Sequence, residues 1–155
     1  MDKAKTVAKV FALGADHRGY KLKETLKALL VSKGYEVKDF GTNGTDSCDY
    51  PDYGIPAAQA VAASKATYGV LACATGNGMA MSANKVKGVR AALCFTPDMA
   101  RLARAHNDAN VLVLSADFIS ERMAKEILEA WLAAGFEGGR HERRIEKVKK
   151  LEVRD

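Results

Sequence analysis

Short apolar runs alternate with amphipathic stretches along the chain. The apolar runs have the length of buried strands, and the amphipathic stretches repeat their apolar positions every three or four residues, as helices do. The predicted strands are Val7–Leu13, Tyr35–Phe40, Tyr68–Cys73, Val89–Cys94 and Asn110–Leu114. The predicted helices are Tyr20–Lys33, Ile55–Lys65, a segment that starts near Met81, Pro97–Ala105 and Phe118–Ala134. This alternation predicts an α/β fold with a five-stranded parallel sheet covered on both faces.

The carboxyl ends of parallel strands meet at one edge of a sheet, where such folds bind their ligands. Three polar segments follow predicted strands and are expected at this edge: Asp16-His17, Cys73–Gly78 and Ser115–Asp117. His106-Asn107 lies beyond the helix that follows the fourth strand. We therefore expect the functional residues along the carboxyl edge.

Composition and charge exclude several classes of protein. A chain of 155 residues is expected to form a single domain. No apolar run approaches a membrane span and no signal peptide is recognised, so neither a membrane nor a secretory role is expected. Three cysteines without a CxxC motif indicate reduced thiols and a cytoplasmic protein.

The basic excess is concentrated at the C-terminus. Residues 140–155 contain seven Lys or Arg and four Asp or Glu, which is +3 of the formal net charge of +5. A nucleic-acid partner is not expected, because basic and aromatic residues do not interleave. The tail is interpreted as a solvated helix or, alternatively, as an anion site. Arg140 and Arg144 would share one face of such a helix and suit a phosphate.

The most informative segment is Cys73-Ala-Thr-Gly-Asn-Gly78, a glycine-rich turn directly after an apolar strand. Backbone amides in such a turn stabilise negative charge, so the Cys73 thiol is expected to ionise readily and act as a base or nucleophile. The alternative is that Cys73 is a small buried apolar residue. The spacing does not fit a dinucleotide fingerprint or a P-loop. A cysteine phosphatase loop is excluded too, because Met79 stands where its arginine would be.

The other candidate residues each have an ordinary structural alternative. Asp16 suits a helix cap, with His17 at the surface, and His106 suits a helix C-terminus. Cys94 is expected to be structural and Cys48 incidental. Histidines and cysteines are dispersed along the chain, so neither a metal nor another cofactor is expected.

Several segments together resemble the ribose-5-phosphate isomerase B family, which includes the galactose-6-phosphate isomerase subunits. They are Gly14–His17, Asp49–Pro51, Gly69–Gly78, Ala83–Lys85, Gly88–Arg90, His106–Asn110 and Glu137–His141. The resemblance implies a Rossmann-like three-layer α/β/α sandwich. It also implies a homodimer, or alternatively a tetramer, whose active site lies at the subunit interface. The basic helix, about residues 140–152, would reach across to the partner.

The resemblance also implies a role for each candidate residue in converting ribose 5-phosphate to ribulose 5-phosphate without a metal. Cys73 would be the base, and His106, assisted by Asp16, would open the sugar ring. Thr75 and the amides of Ala74, Gly76, Asn77 and Gly78 would hold the enediolate. Asn107 would bind a hydroxyl group, and His17, Arg140 and Arg144 would bind the phosphate.

Three residues depart from the family pattern. Met79 stands where some members carry a glutamate base, and Ala74 replaces a common glycine. Asp117 stands where many members have an arginine that contacts phosphate, from the partner subunit in our interpretation. Asp117 either caps the following helix or marks a different substrate preference, such as the phosphate of a six-carbon sugar like allose or galactose, or a different anchoring geometry for the phosphate. A non-catalytic sugar-phosphate-binding protein and a cysteine hydrolase are the remaining alternatives.

Overall fold

The computed structural model describes residues 9–153, and its centre is a five-stranded parallel sheet. The strands are β1 (Val10–Ala15), β2 (Glu36–Asp39), β3 (Tyr68–Cys73), β4 (Ala91–Leu93) and β5 (Val111–Ser115). They lie in the order β2-β1-β3-β5-β4, so β3 is central and β1 and β5 flank it. The helices are α1 (Tyr20–Ser32), α2 (Pro51–Ala62), α3 (Asn77–Asn84), α4 (Pro97–Asn107), α5 (Glu121–Ala133) and α6 (Arg140–Lys149).

Two separate apolar clusters cover the faces of the sheet and make the fold a three-layer α/β/α sandwich. One contains Leu26 of α1, Ala103 of α4 and Trp131 of α5. The other contains Ala58 of α2 and Met79 of α3, together with Cys73. The predicted fold class is therefore confirmed.

The first strand lies later in the chain than the prediction Val7–Leu13. β1 runs from Val10 to Ala15, and residues 7 and 8 of the prediction lie outside the described residues. The glycine and alanine at its end extend the pairing with β3, because Gly14 and Ala15 lie opposite Leu71 and Ala72. Asp16 consequently follows the strand immediately.

Two helices begin closer to the carboxyl edge than predicted. α2 starts at Pro51 rather than Ile55, because proline suits the first turn of a helix. α3 starts at Asn77 rather than near Met81, directly after Gly76, which has a φ of +88°. The free N–H groups of this helix therefore lie within the turn that follows Cys73.

α5 starts later than the predicted Phe118. Ser120 is its N-cap, and the Ser120 side chain accepts a hydrogen bond from the N–H of Met123. The expectation that Asp117 caps this helix is therefore wrong.

The C-terminal basic segment is helical, as predicted. α6 covers Arg140–Lys149 and continues as a 3₁₀ turn over Lys150–Val153. Among its helical residues only Ile145 is buried. Within residues 9–153, no helix has both the length and the apolar character needed to cross a bilayer.

Candidate active site

Cys73 ends β3 and is buried, with 4% of its surface exposed. The backbone N–H groups of Gly76, Gly78 and Met79 lie close to its sulfur and favour its charged form. A side chain at Gly78 would collide with the ring of Tyr50, since an added Cβ would lie 2.6 Å from Tyr50 Cζ. The turn is therefore closely packed and directs three amide dipoles at one thiol.

The expectation that Cys73 ionises readily is wrong for the single chain. Burial raises the pKa of the Cys73 thiol above its usual value, because it removes the water that would solvate a thiolate. The three amides act in the opposite direction, and the nearby Asp16 carboxylate raises the pKa further. Desolvation thus outweighs the amide dipoles on which the sequence argument relied.

The residues predicted to hold the enediolate have different roles within the turn. The Thr75 hydroxyl accepts a hydrogen bond from the N–H of Asn77 at 3.2 Å, so that amide is already used. The carbonyl of Ala74 accepts the Ser115 hydroxyl at 2.8 Å. Met79 is fully buried among apolar residues, so it serves the site through its N–H rather than its side chain.

Asp16 organises the turn after β1. Its Oδ1 accepts the N–H groups of Arg18 and Gly19, both at 3.0 Å, and the side chain is buried. Because its charge acts on the Cys73 pKa, the Asp16 carboxylate lies close to the thiol. The sequence therefore correctly placed Asp16 and Cys73 on one edge.

His17 is half-buried on the same edge, and its orientation depends on Cys48. The N–H of Cys48 donates to His17 Nδ1 at 3.2 Å, so in the neutral ring the proton lies on Nε2. An Nε2–H group can donate to an anion. Cys48 was expected to be incidental, but its backbone orients His17; only the tertiary structure shows this contact.

Asp117 also lies on this edge, and Arg18 neutralises its charge. Arg18 Nη2 donates to Asp117 Oδ2 at 2.6 Å. The N–H of Asp117 donates to the carbonyl of Ala74 at 3.0 Å, which ties residue 117 to the turn of its own chain. Sequence reasoning did not identify Arg18, because nothing in the pattern connects residues so far apart.

A second cluster of candidate residues forms around the end of α4. His106, Asn107, His141 and Arg144 line a cavity of about 260 Å³. The rings of His106 and His141 stack with their centroids 4.1 Å apart, and His106 Nε2 lies 3.4 Å from Glu137 Oε2. The sequence indicates no role for His141 beyond its place in the Glu137–His141 segment, so its contact with His106 is a finding of the structure.

Two arginines fix the turn that follows α4. Asp108 adopts a positive φ of 44° and pairs with Arg104 at 3.1 Å and with Arg90 at 3.3 Å. Arg90 also donates to the carbonyl of Asn107 at 3.2 Å. Arg90 and Arg104 therefore hold the His106–Asn110 segment through backbone carbonyls as well as through the Asp108 carboxylate, a role that the sequence did not show.

The two clusters lie at opposite edges of the sheet. Cys73 pairs with Ser115 at the carboxyl edge, whereas Gly69 pairs with Val111 and its N–H donates to the carbonyl of Asn110. The four-residue rise from Gly69 to Cys73 corresponds to about 13 Å. The expectation that the functional residues gather at the carboxyl edge is thus wrong for His106 and Asn107. Helix α4 carries them back to the amino edge, where Arg144 joins them.

Arg140 is exposed and lies in the first turn of α6. The pKa of His141 is lowered by desolvation, by the neighbouring His106 and, to a smaller extent, by Arg140. Because the ordinary His141 pKa is already slightly below 7, this shift favours the neutral imidazole at physiological pH. Arg140 therefore belongs electrostatically to the amino-edge cluster.

The amino-edge cluster also contains three groups that could offer ligand atoms to a metal. The atoms of His106, Glu137 and His141 lie within 4.8 Å of one another, so these histidines are not dispersed as the sequence suggested. However, the two rings are parallel, with 10° between their planes, so their nitrogen lone pairs do not converge on one point. Arg140 and Arg144 on the same helix add positive charge, which opposes a cation.

Comparison with known proteins places this α/β/α chain in a class that acts on sugar phosphates. The family model described as Ribose/Galactose Isomerase matches residues 11–148. Ribose-5-phosphate isomerase B of Escherichia coli (strain K12) is 44% identical over 146 residues, which cover 94% of this chain and 98% of the relative.

Solved structures agree. Ribose-5-phosphate isomerase B of Clostridium thermocellum has a TM-score of 0.91 at 45% identity, covering 92% of this chain and 97% of that one. The enzyme of Mycoplasma genitalium with bound ribulose-5-phosphate has a TM-score of 0.90 at 41% identity, covering 96% and 99%. The chain belongs to the ribose/galactose isomerase family.

Proposed function

We propose that this protein interconverts ribose 5-phosphate and ribulose 5-phosphate as an aldose–ketose isomerase, with Cys73 as the base. The observation that carries the assignment of the base is the burial of Cys73 at the end of β3, with three backbone N–H groups directed at its sulfur. The relatives named as ribose-5-phosphate isomerase B support the substrate, including the one with bound ribulose-5-phosphate.

The reaction needs a base, a group that stabilises an enediolate, and a group that opens the ring. In the open-chain aldose, the Cys73 thiolate removes the proton from C2, and the electrons of the C2–H bond move toward the carbonyl oxygen on C1. The resulting enediolate is stabilised by the Thr75 hydroxyl and by amides of the turn other than that of Asn77, which already donates to Thr75. Cys73 then returns the proton to C1. The hydroxyl proton on C2 passes to the oxygen on C1, and C2 becomes the carbonyl carbon.

The two edges of the sheet support a homodimer, because one chain cannot bring His106 to Cys73. In a two-fold dimer, the carboxyl edge of one subunit would face the amino edge of its partner, so that His106, Asn107, Arg140 and Arg144 complete the partner's site. Apolar side chains beside the amino-edge cluster favour such a contact: Val148, Leu151 and Val153 are 56%, 61% and 73% exposed. The cationic groups would also lower the raised pKa of Cys73.

Mixed dimers provide a sharp test. Cys73→Ala and His106→Ala should each lose roughly 10² to 10⁴ of turnover. After the two variants are refolded together, about a quarter of wild-type activity should return, because half of the random dimers are mixed and each carries one intact site of two. A matched mixture of Cys73→Ala with His17→Ala should show no more activity than the mean of the two variants measured alone, since both residues lie on the same edge.

The same samples test the alternatives. An isomerase exchanges the substrate C2 proton with solvent and leaves no adduct on Cys73, whereas a cysteine hydrolase forms an adduct visible by mass spectrometry and a binding protein does neither. Complementation between Cys73→Ala and His17→Ala, or none between Cys73→Ala and His106→Ala, would contradict the shared site.

We also propose that the protein works in the cytoplasm. Cys48, Cys73 and Cys94 are free thiols, and a catalytic thiol needs a reducing compartment.

A further inference from the structure

An ion pair spans the carboxyl end of the central strand. Arg18 follows β1, Asp117 follows β5, and Arg18 Nη2 lies 2.6 Å from Asp117 Oδ2. Because β1 and β5 lie on either side of β3, this Arg18–Asp117 pair bridges the two strands that flank Cys73. A contact at this place is part of the surroundings of the site.

Both ends of the pair are fixed by residues of the site. The N–H of Arg18 donates to Asp16 Oδ1 at 3.0 Å, and the N–H of Asp117 donates to the carbonyl of Ala74 at 3.0 Å. The position of the guanidinium is therefore set relative to Asp16 and the turn after Cys73. An ordinary exposed ion pair has no such anchoring and contributes little to stability.

The guanidinium retains unused hydrogen-bonding capacity. It has five N–H donors, and within residues 9–153 its side chain donates to Asp117 only, while 55% of the side chain is exposed. The hydrogen bond to Asp117 and the attraction between the charges raise the pKa of Arg18, so the group stays cationic. Its planar fork matches two oxygens of a phosphate.

We propose that Arg18 is a further phosphate-binding residue of this site and that Asp117 is the residue that positions it. The inference rests on the proposed function and names one more group that recognises the anionic end of the sugar, next to His17. It also gives Asp117 a purpose. The Asp117 carboxylate does not repel phosphate but holds the Arg18 guanidinium at this edge. Arg18 thus supplies a guanidinium where many family members have an arginine at position 117.

The first experiment separates phosphate binding from turnover. Inorganic phosphate is titrated against wild type, Arg18→Ala and the control Arg122→Ala, which removes a 90% exposed arginine from α5, and binding is followed by the shift in melting temperature. KM and kcat for ribose 5-phosphate are measured on the same samples. Arg18→Ala should weaken phosphate binding and raise KM by about tenfold, with kcat within about threefold of wild type. The control should match wild type.

Two variants of Asp117 test the positioning role. Asp117→Ala should raise KM for ribose 5-phosphate and leave kcat nearly unchanged, because Arg18 is no longer held. Asp117→Asn keeps an oxygen that can accept from Arg18, so its KM should lie between those of wild type and Asp117→Ala. A purely structural pair would instead change unfolding stability and leave KM unaltered.

Exchange of the charges tests the geometry. Arg18→Asp sets two carboxylates against each other where the ion pair stood and should abolish measurable phosphate binding. Arg18→Asp combined with Asp117→Arg returns a guanidinium to the same place from β5, and should recover at least about tenfold of the lost affinity. The proposal is overturned if Arg18→Ala affects KM and phosphate binding no more than Arg122→Ala, or if the folded double variant recovers nothing.

Failure of this proposal is distinguishable from failure of the proposed function. A wild-type protein that isomerises ribose 5-phosphate, with unchanged phosphate affinity in Arg18→Ala, retains the function and loses the role of Arg18. A wild-type protein that binds phosphate through Arg18 without isomerising ribose 5-phosphate retains the role and loses the function.

Discussion

The ring of His17 is oriented by the backbone of Cys48, whose N–H donates to His17 Nδ1 at 3.2 Å. The contact ties the loop before α2 to the turn after β1 and leaves Nε2–H available for an anion. Cys48, which has no predicted role, thus orients His17, which is predicted to bind the phosphate.

This contact predicts different effects for two neighbouring substitutions. Cys48→Ser keeps the backbone donor and should leave KM for ribose 5-phosphate unchanged. His17→Ala removes a hydrogen bond to a charged group and should raise KM by about tenfold. Steady-state kinetics checks both, and a large change in Cys48→Ser would show that the thiol itself matters.

The raised pKa of Cys73 predicts a pH dependence. Because burial holds the pKa above its usual value, the alkylation rate of Cys73 in the free protein should still be rising where an ordinary thiol has levelled off. Cys94 should react last, since burial raises its pKa to about 11. Mass spectrometry of iodoacetamide-treated samples across pH distinguishes the thiols.

Asp16→Asn tests the electrostatic part of this shift. The amide keeps an oxygen that can accept the N–H groups of Arg18 and Gly19 but loses the charge, so the Cys73 pKa should fall and alkylation at a fixed pH should accelerate. The control Glu126→Gln, on the exposed face of α5, should not change the rate. Slower alkylation in Asp16→Asn would contradict this account.

A buried ion pair at the end of β2 predicts a stability change. Lys23 is almost fully buried and its Nζ lies 2.7 Å from Asp39 Oδ2, with Lys27 at 3.0 Å. Asp39→Asn leaves the Lys23 ammonium without its buried partner and should lower the free energy of unfolding by about 3 kcal/mol. Urea unfolding measures the change, and Glu126→Gln should stay within about 0.5 kcal/mol of wild type.

The pH dependence of this stability has a defined sign. Burial favours the neutral form of Asp39, but the hydrogen bonds from Lys23, Gly41 and Lys27 outweigh it and lower the pKa of Asp39. The stabilisation is therefore present above the pKa of an unfolded aspartate and is lost as the pH falls through the lowered folded value. The difference between wild type and Asp39→Asn should accordingly narrow in acid.

Metal removal gives a further prediction. Because the rings of His106 and His141 are parallel and Arg140 and Arg144 are close by in α6, turnover should survive dialysis against a chelator. Loss of activity that added zinc restores would contradict the metal-free mechanism and assign His106, Glu137 and His141 as ligands.

The sequence by itself determined the alternation of strands and helices, because apolar periodicity is a local property of the chain. It also placed Asp16 and Cys73 on one edge, since residues that follow parallel strands share that edge whatever the packing. The helical character of residues 140–149 followed from composition and glycine positions in the same way.

Tertiary structure alone decided what depends on burial and on distant contacts. The ionisation of Cys73 could not be read from its turn, because desolvation depends on how Met79 and the helices cover the thiol. The separation of His106 from Cys73 depends on the direction in which α4 returns along the sheet. The pairing of Arg18 with Asp117 joins two strand ends that become neighbours only when β1 and β5 flank β3. Such relationships come from packing between elements, which no local pattern encodes.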